Sequence, residues 1–489
     1  MPASPRENPL VVDTSPVSGL PRRRLPFVPV FAQSVAAIAP AGTAGVTPAL
    51  VIGAAGGGGA FVAFVCAALV TLLVSACIRP MAQRMASVGG LYSYVARGLG
   101  PKVAVPTGWS AIVGYSSVAM AGLIAVGAYL AHVAVSIGIA DDTPTAAIVV
   151  IAVLAALTAC LVMIRGIRMS ALVTLAVECA SIAMVLAILA LLATGHRSGE
   201  PIAPALRWDG DFQVLAVGIV VAVSAFVGFE SSTALSGEAQ QPFLSIPRTI
   251  RWTPVAAAVI YLIAVPVQAI ALYAAPESVR SSSTPLVELL LSDGSATLAA
   301  VLDAGIAASF FACTLASVNA LVRVLFCMGR EGVAPAAFGR LHSRYRTPAL
   351  AIAVAMAIVV AVPVAALLLG VSAEDGLRMF LTLSACGYLG SYLTACVAAP
   401  VLLRRIGESS VYVWVIGTVA TVALLVLAAN TAVSTVRDGN RMIVVYGVIL
   451  VLAGIYTAVL AALLPARLLA VGIYDETQRA DLLRAPTFR

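Results

Sequence analysis

Three carboxylates set in apolar surroundings, Glu178, Glu230 and Glu238, are the residues of this chain best placed to do chemistry. Glu230 follows Gly228 and Phe229 in the stretch VSAFVGFESSTALSGEAQQPFLSIPRTI, residues 223–250. A charged side chain at the middle of a membrane helix costs roughly 2.5–3.5 kcal/mol on insertion scales unless water, a partner or a proton relieves it. A carboxylate there therefore points to a wet site, where it binds a cation or carries a proton. Glu178 has two readings, as a structural carboxylate bonded to a neighbouring helix or as a proton carrier. Asp303 is expected to snorkel to the outer mouth. The other reactive side chains do not assemble into an enzyme. His132 is the one deep histidine and has no matching acid in sequence, and the chain contains no HExxH or CxxC. The eight cysteines read as small thiols inside apolar spans, without disulfide, metal or cofactor use. The glycine run at Gly53–Ala60 lacks a following GK[ST], so it is expected to be a flexible turn and not a phosphate loop.

The elements that hold these carboxylates follow from composition. The 489 residues are 61% hydrophobic and 10% charged, too little charge to clothe a soluble protein of this length. Successive apolar stretches of about 20 residues mark an all-α membrane protein, and the short alternating segments of a β-barrel are missing. Twelve spans are expected, near 27–52, 59–80, 104–138, 144–164, 170–194, 212–238, 252–275, 296–328, 348–370, 377–403, 411–431 and 441–466. This assignment puts 23 of the 29 Lys and Arg on one side and six on the other. That positive-inside bias accounts for the net charge of +7 without nucleic acid. It predicts a multi-pass protein of the plasma (inner) membrane with both termini cytoplasmic. Residues 1–25 read as a disordered tail and not a signal peptide, and 467–489 as a second tail. The basic, glycine-punctuated segment 87–101 has the pattern of a surface helix at the membrane.

Two spans carry signs of interruption. The first reads Ala39-Pro40-Ala41-Gly42-Thr43-Ala44-Gly45 at its centre, and the sixth carries Phe226-Val227-Gly228-Phe229-Glu230. Proline removes a backbone donor and glycine permits irregular backbone. A unit of five spans has an odd number of crossings, so its repeat is inverted. Paired interruptions in two inverted halves mark a transporter site at the midplane. The expected organisation is therefore 26–195 and 211–405 as two repeats, followed by two further helices at 410–466.

Three segments together resemble the amino acid–polyamine–organocation permease superfamily. They are Val227-Gly-Phe-Glu230 leading to Glu238-Ala-Gln-Gln-Pro242 and Ser245-Ile-Pro-Arg248; Gly89-Gly-Leu-Tyr-Ser-Tyr94 with Gly98–Pro101 and Gly108-Trp109; and Asn319–Arg323 through Met328–Gly332, Pro335 and Thr347-Pro348. The resemblance implies a five-plus-five inverted-repeat core in which helices 1 and 6 unwind around the solute. By that analogy, backbone N–H groups of Ala39–Gly45 receive a carboxylate and carbonyls near Phe226–Gly228 accept an ammonium. Phe229 closes over the side chain. Glu230 stabilises the break or takes the coupling proton, with Glu178 as second candidate. Glu238 belongs to an inner gate, paired with an arginine such as Arg330. Thr314 and Ser317 either line the site or pack helices together, and Tyr115 and Tyr388 are candidates for selectivity. The break APAGTAG lacks the family's run of closely spaced glycines and serines, so an amine without a carboxylate stays open beside an amino acid. Ser181 stands near the position where the cationic amino acid branch carries a lysine. The expected activity is import of an amino acid or related amine by alternating access, driven by protons. Exchange of two solutes and sodium coupling are the alternatives.

Overall fold

The computed structural model describes residues 20, 23–194, 202–208, 210–273, 275–280, 282, 284–437, 439 and 441–472. Their helices in chain order begin with α1 (Phe27–Ile38), α2 (Pro40–Ala82), α3 (Leu91–Leu99), α4 (Pro101–Ser136), α5 (Thr145–Ile164) and α6 (Ile167–Thr194). Next come α7 (Ile202–Ala205), α8 (Phe212–Ser224), α9 (Pro242–Tyr273), α10 (Glu277–Arg280), α11 (Pro285–Ser292) and α12 (Ala296–Arg330). The last are α13 (Ala349–Leu368), α14 (Ala373–Arg405), α15 (Val411–Arg437), α16 (Met442–Leu463) and α17 (Pro465–Leu469). Among the described residues, ten helical segments are long and apolar enough to cross a membrane. One of the ten is the 56-residue tract Phe27–Ala82, which covers both the first and second expected spans.

That tract cannot run straight. At 1.5 Å per residue, the 43 residues of α2 would reach about 65 Å, twice a hydrocarbon core. The backbone turns at Gly56, where φ 70° and ψ 169° leave the helical region. The glycines that follow admit a close neighbour. A Cβ at Gly57 would lie 2.0 Å from the Ala205 carbonyl oxygen, and one at Gly58 would lie 2.4 Å from that of Leu206. The flexible turn expected at Gly53–Ala60 is therefore corrected to a packed joint, in which missing side chains let the 205–207 backbone seat against α2.

Position in the bundle sorts the helices. The most apolar windows of α12, α14 and α4 are 72%, 72% and 67% buried, against 22% in α15 and 17% in α16. α4 packs against both α12 and α14 and the three form the core, whereas the last two show Val and Leu side chains outward. The α14 helix is capped by Ser372, whose hydroxyl accepts from the Asp375 N–H at 3.0 Å. Glu374 and Asp375 stand in its first turn and Arg404 and Arg405 in its last, the arrangement that the helix dipole favours. The α8 helix is capped by the Asp211 carboxylate and stops after 13 residues, short of a crossing.

Two further expectations are corrected here. Segment 87–101 is no surface helix: α3 lies inside the bundle against α4 and α14, with Tyr92 and Tyr94 fully buried. Its small residues bring it close, since a Cβ at Gly98 would meet the Ala398 carbonyl at 2.7 Å. Not every cysteine is buried, because Cys179 is exposed and Cys66 and Cys160 are half-buried on outward faces of their helices. Most of the expected tails, residues 1–19 and 473–489, lie outside the described residues. The portion next to α1 is ordered, with Arg24 and Leu25 donating N–H bonds to the Glu238 carbonyl at 2.8 and 2.9 Å.

Gly58→Ala is expected to lower thermal stability in detergent by roughly 1–3 kcal/mol, because the added methyl has no room. Gly53→Ala, at a position with nothing within 4 Å of the added carbon, is the matched control and should be neutral or slightly stabilising. Equal melting temperatures for the two variants would refute the packed joint.

Candidate functional site

Two interruptions meet at the middle of the bundle. Between α1 and α2, Ala39 alone adopts a left-handed conformation, φ 51° and ψ 57°. That region is disfavoured for a side chain by about 1–2 kcal/mol, so the surroundings hold it there. The expected break is thus confined to one residue, and Pro40–Gly45 are already helical. Pro40 stands at the first turn of α2, where its missing N–H costs nothing. Gly42 and Gly45 serve packing, against Phe310 and Ile306. In the second interruption, α8 ends at Ser224 and a 3-10 turn forms at Ser231–Leu235 before α9 begins. Gly228 sits between them at φ 96°. A Cβ there would lie 2.9 Å from the Ala37 carbonyl, so the second interruption touches the last turn of α1, just before the first.

Backbone groups freed by these interruptions are taken up by side chains from other helices. Gly228 N–H donates to Tyr392 Oη at 3.0 Å, and Tyr261 Oη donates to the Ala225 carbonyl at 2.8 Å. Ser232 N–H donates to Ser34 Oγ at 3.0 Å, and the Ser231 hydroxyl to the Gln33 carbonyl at 3.2 Å. Cys313 Sγ donates to the Ala37 carbonyl at 3.2 Å; farther along α2, Gln268 Nε2 donates at 2.6 Å to the Ala44 carbonyl, which Pro48 leaves without a helical N–H.

Each interruption also carries a buried carboxylate. Glu230 is fully enclosed and accepts from Tyr115 Oη at 2.8 Å and from Tyr392 Oη. Glu178, on α6, accepts from Ser309 Oγ at 3.0 and 3.1 Å and from the Ala41 N–H at 3.4 Å. It therefore stands at the N-terminal end of α2, where the sequence reading places a solute carboxylate. Aromatic rings surround Glu230: Tyr115 lies edge-on to Tyr388 with centroids 5.4 Å apart, and Phe229 and Tyr388 lie 5.5 and 5.7 Å from Tyr392. The Tyr388 hydroxyl is buried, with Ser317 beside it.

Other expected residues fall elsewhere. Thr314 bonds back to the Phe310 carbonyl at 3.0 Å and faces Gly122 of α4, so it packs helices and does not reach the interruptions. Ser317 lies one turn from Cys313, 3.9 Å from its sulfur. Val227 and Phe226 flank Gly228, and the Phe226 ring packs on Tyr261 at 5.0 Å. Glu238 pairs with Arg323 at 2.8 Å, not with Arg330, whose guanidinium stacks over Phe326. Two turns of α12 separate those arginines, and the inner one is aimed at the segment after the second interruption. Asp303 does not snorkel. It is fully buried and bonded to His132 Nδ1 at 2.7 Å and to the Ser136 hydroxyl at 3.3 Å, the acid that sequence reading did not find for that histidine. Their separation of 171 residues leaves no local signal. Ser309, Tyr261, Tyr392, Gln33 and Gln268 were equally invisible, because each is an ordinary polar residue until the fold aims it at broken backbone.

The carboxyls at the centre have no described cationic partner. Among the described residues Arg323 is the one buried Arg or Lys, and Glu238 already holds it. No described cation pairs with Glu178 or Glu230. No group of three or more potential metal ligands occurs among the described residues.

Comparison with known proteins adds the family. The sequence pattern of the amino acid permease family matches residues 32–464. The chain is 32% identical over 128 residues to the D-serine/D-alanine/glycine transporter of Escherichia coli K12, covering 26% of this chain and 27% of that protein. It is 25% identical over 279 residues to the low-affinity putrescine importer PlaP of the same organism, covering 56% and 60%. It is 29% identical over 139 residues to the branched-chain amino acid permease BcaP of Lactococcus lactis, covering 28% and 29%. These similarities span between about a quarter and three fifths of the relatives' own lengths.

Removing one member of a buried ion pair strands the other, at a cost of about 3–5 kcal/mol. Arg323→Ala should therefore destabilise the protein by that order, measured by denaturation in detergent. Arg330→Ala, which loses only a ring contact, should cost about 1 kcal/mol or less. The reverse ranking would show that Arg330 holds the gate.

Proposed function

The chain belongs to the amino acid permease family, and on that premise we propose that it imports amino acids or related amines by alternating access, driven by protons. The observation that carries the reading is the contact of two interrupted helices at Ala37 and Gly228, flanked by two buried carboxylates without a cation. Paired interruptions suit a midplane site closed in turn from each side better than an open pore. In this reading the tract Phe27–Ala82 makes two crossings divided at Gly56, and α8 with its following turn makes another. The crossings then number twelve, with α1–α6 and α8–α14 as inverted halves. The chain lies in the plasma membrane with both termini cytoplasmic.

Glu230 is the first candidate for the coupling proton and Glu178 the second. Taking up a proton relieves the cost of a lone buried charge, and an alternating site presents that carboxylate to each side in turn. The driving force suffices: one charge across 100 mV is worth about 2.3 kcal/mol. One pH unit adds about 1.4 kcal/mol. Sodium coupling fits less well, since hard cations take oxygen ligands and the group on the Ala37 carbonyl is the sulfur of Cys313. Substrates named for the relatives include both small amino acids and a diamine, so the family leaves the solute's class open.

In proteoliposomes, a panel of radiolabelled amino acids and amines should include at least one solute taken up saturably. Its accumulation should follow an imposed pH gradient and be indifferent to sodium at fixed pH. Glu230→Gln should abolish accumulation on a pH gradient yet retain exchange of internal for external solute. Undiminished accumulation by that variant refutes the proton role, and uptake that rises linearly without saturation refutes the carrier.

A further inference from the structure

We infer that the outward face between α1 and α9 holds a binding site for an anionic phospholipid. A groove of about 470 Å³ lies there between Phe27 and Phe31 of α1 and Arg248, Trp252, Val255 and Ala256 of α9. Residue spacing makes it. The α9 residues stand at i, i+4, i+7 and i+8, one face of a helix. On α1 the two phenyl rings stack four residues apart, with centroids 5.7 Å from each other. The α9 wall rises about 12 Å from Arg248 to Ala256. Beyond the Arg248 head and the Trp252 N–H, the lining is hydrocarbon. Val28, Val259 and Ile263, each about half exposed, show that this face looks out of the bundle. In a bilayer, an acyl chain is what such a surface meets.

Charge selects the headgroup. Arg248 is exposed at the mouth of the groove, and Arg251 is held beside it, its guanidinium 5.2 Å from the centre of the Trp252 ring. Neither pairs with a carboxylate among the described residues, and α1 and α9 contain no Asp or Glu. Arg24, also exposed, stands three residues before Phe27. Guanidinium groups bind phosphate oxygens through paired, charge-assisted N–H bonds. A half-exposed tryptophan beside them is the usual anchor at the boundary between headgroups and chains. Each arginine close to the membrane surface contributes roughly a five-fold preference for anionic over neutral lipid. On the reading of both termini as cytoplasmic, the groove opens to the inner leaflet. A lipid seated in it bridges α1, which leads into the first interruption, and α9, which follows the second.

The test reads Trp252 fluorescence in the full chain, reconstituted in vesicles of phosphatidylglycerol and phosphatidylcholine with brominated, quenching acyl chains on one lipid or the other. The Trp252 signal is the difference between the wild type and Trp252→Phe, which separates it from the other three tryptophans. Phosphatidylglycerol is expected to displace phosphatidylcholine at Trp252 with at least a ten-fold preference. Arg248→Gln combined with Arg251→Gln should lower that preference at least five-fold. Arg404→Gln, at an exposed arginine of α14, should leave it unchanged. Inorganic phosphate should not relieve the quenching, because it lacks the chain that fills the groove. Equal quenching by the two lipids in the wild type overturns the inference, and that comparison stands even if a variant folds poorly. So does a preference that survives the double substitution in folded protein, or one that Arg404→Gln lowers as much, which would mark general surface charge. Loss of the preference in millimolar phosphate would make this a site for free anions and also overturns it.

Discussion

A peptide group freed from its helix inside an apolar bundle must find a partner, and this demand organises the centre of the molecule. Ala39 and Gly228 open the backbone of two neighbouring segments, and hydroxyls and a thiol from α1, α9, α12 and α14 close on what they release. Irregular backbone survives at membrane depth only where such groups, or a solute and its water, satisfy it. The two openings support each other physically. Gly228 fits only because Ala37 presents bare backbone to it, and neither segment could straighten without displacing the other.

Charge provides the second constraint. Among the described residues five carboxylates, Glu178, Glu230, Glu238, Asp303 and Glu331, are buried, and they find different partners. Glu238 takes Arg323 and so fastens the segment after the second interruption to α12, where Leu25 and Ala239 also pair. Asp303 takes His132. Glu331 is tied to Tyr92 and to the Gly472 N–H, which fixes the chain beyond α17 to the same end of the bundle. Glu178 and Glu230 have hydroxyl and amide donors but no cation. A charge that the protein does not balance is one that a proton or a cationic solute can, and these two stand beside the broken backbone.

Much of this was legible in sequence. An all-helical chain with membrane-length apolar segments and the interruption at Gly228 followed from hydropathy and from glycine, whereas Glu230, expected to face a wet site, stands fully enclosed. The first interruption was found in the right place for partly the wrong reason. Pro40 and the glycines drew attention to it, yet the strained residue is Ala39, and no propensity scale points to an alanine. What stayed hidden depends on pairings across long stretches of chain. Arg323 and Arg330 are equivalent in sequence, and only the rotation of α12 decides which meets Glu238. Thr314 looked like a site residue because hydroxyls at membrane depth serve both binding and packing. The glycines after Gly53 gave no sign of the strand of backbone that seats on them.

The most direct check on the account is a density map of the protein in lipid nanodiscs, with a transported amine at saturating concentration. The account predicts solute density between Ala39–Ala41 and Ala225–Gly228, both helices interrupted, and Glu178 and Glu230 on the wall that faces it. Solute density elsewhere in the bundle, or helices wound without interruption through Ala39 and Gly228, would contradict it.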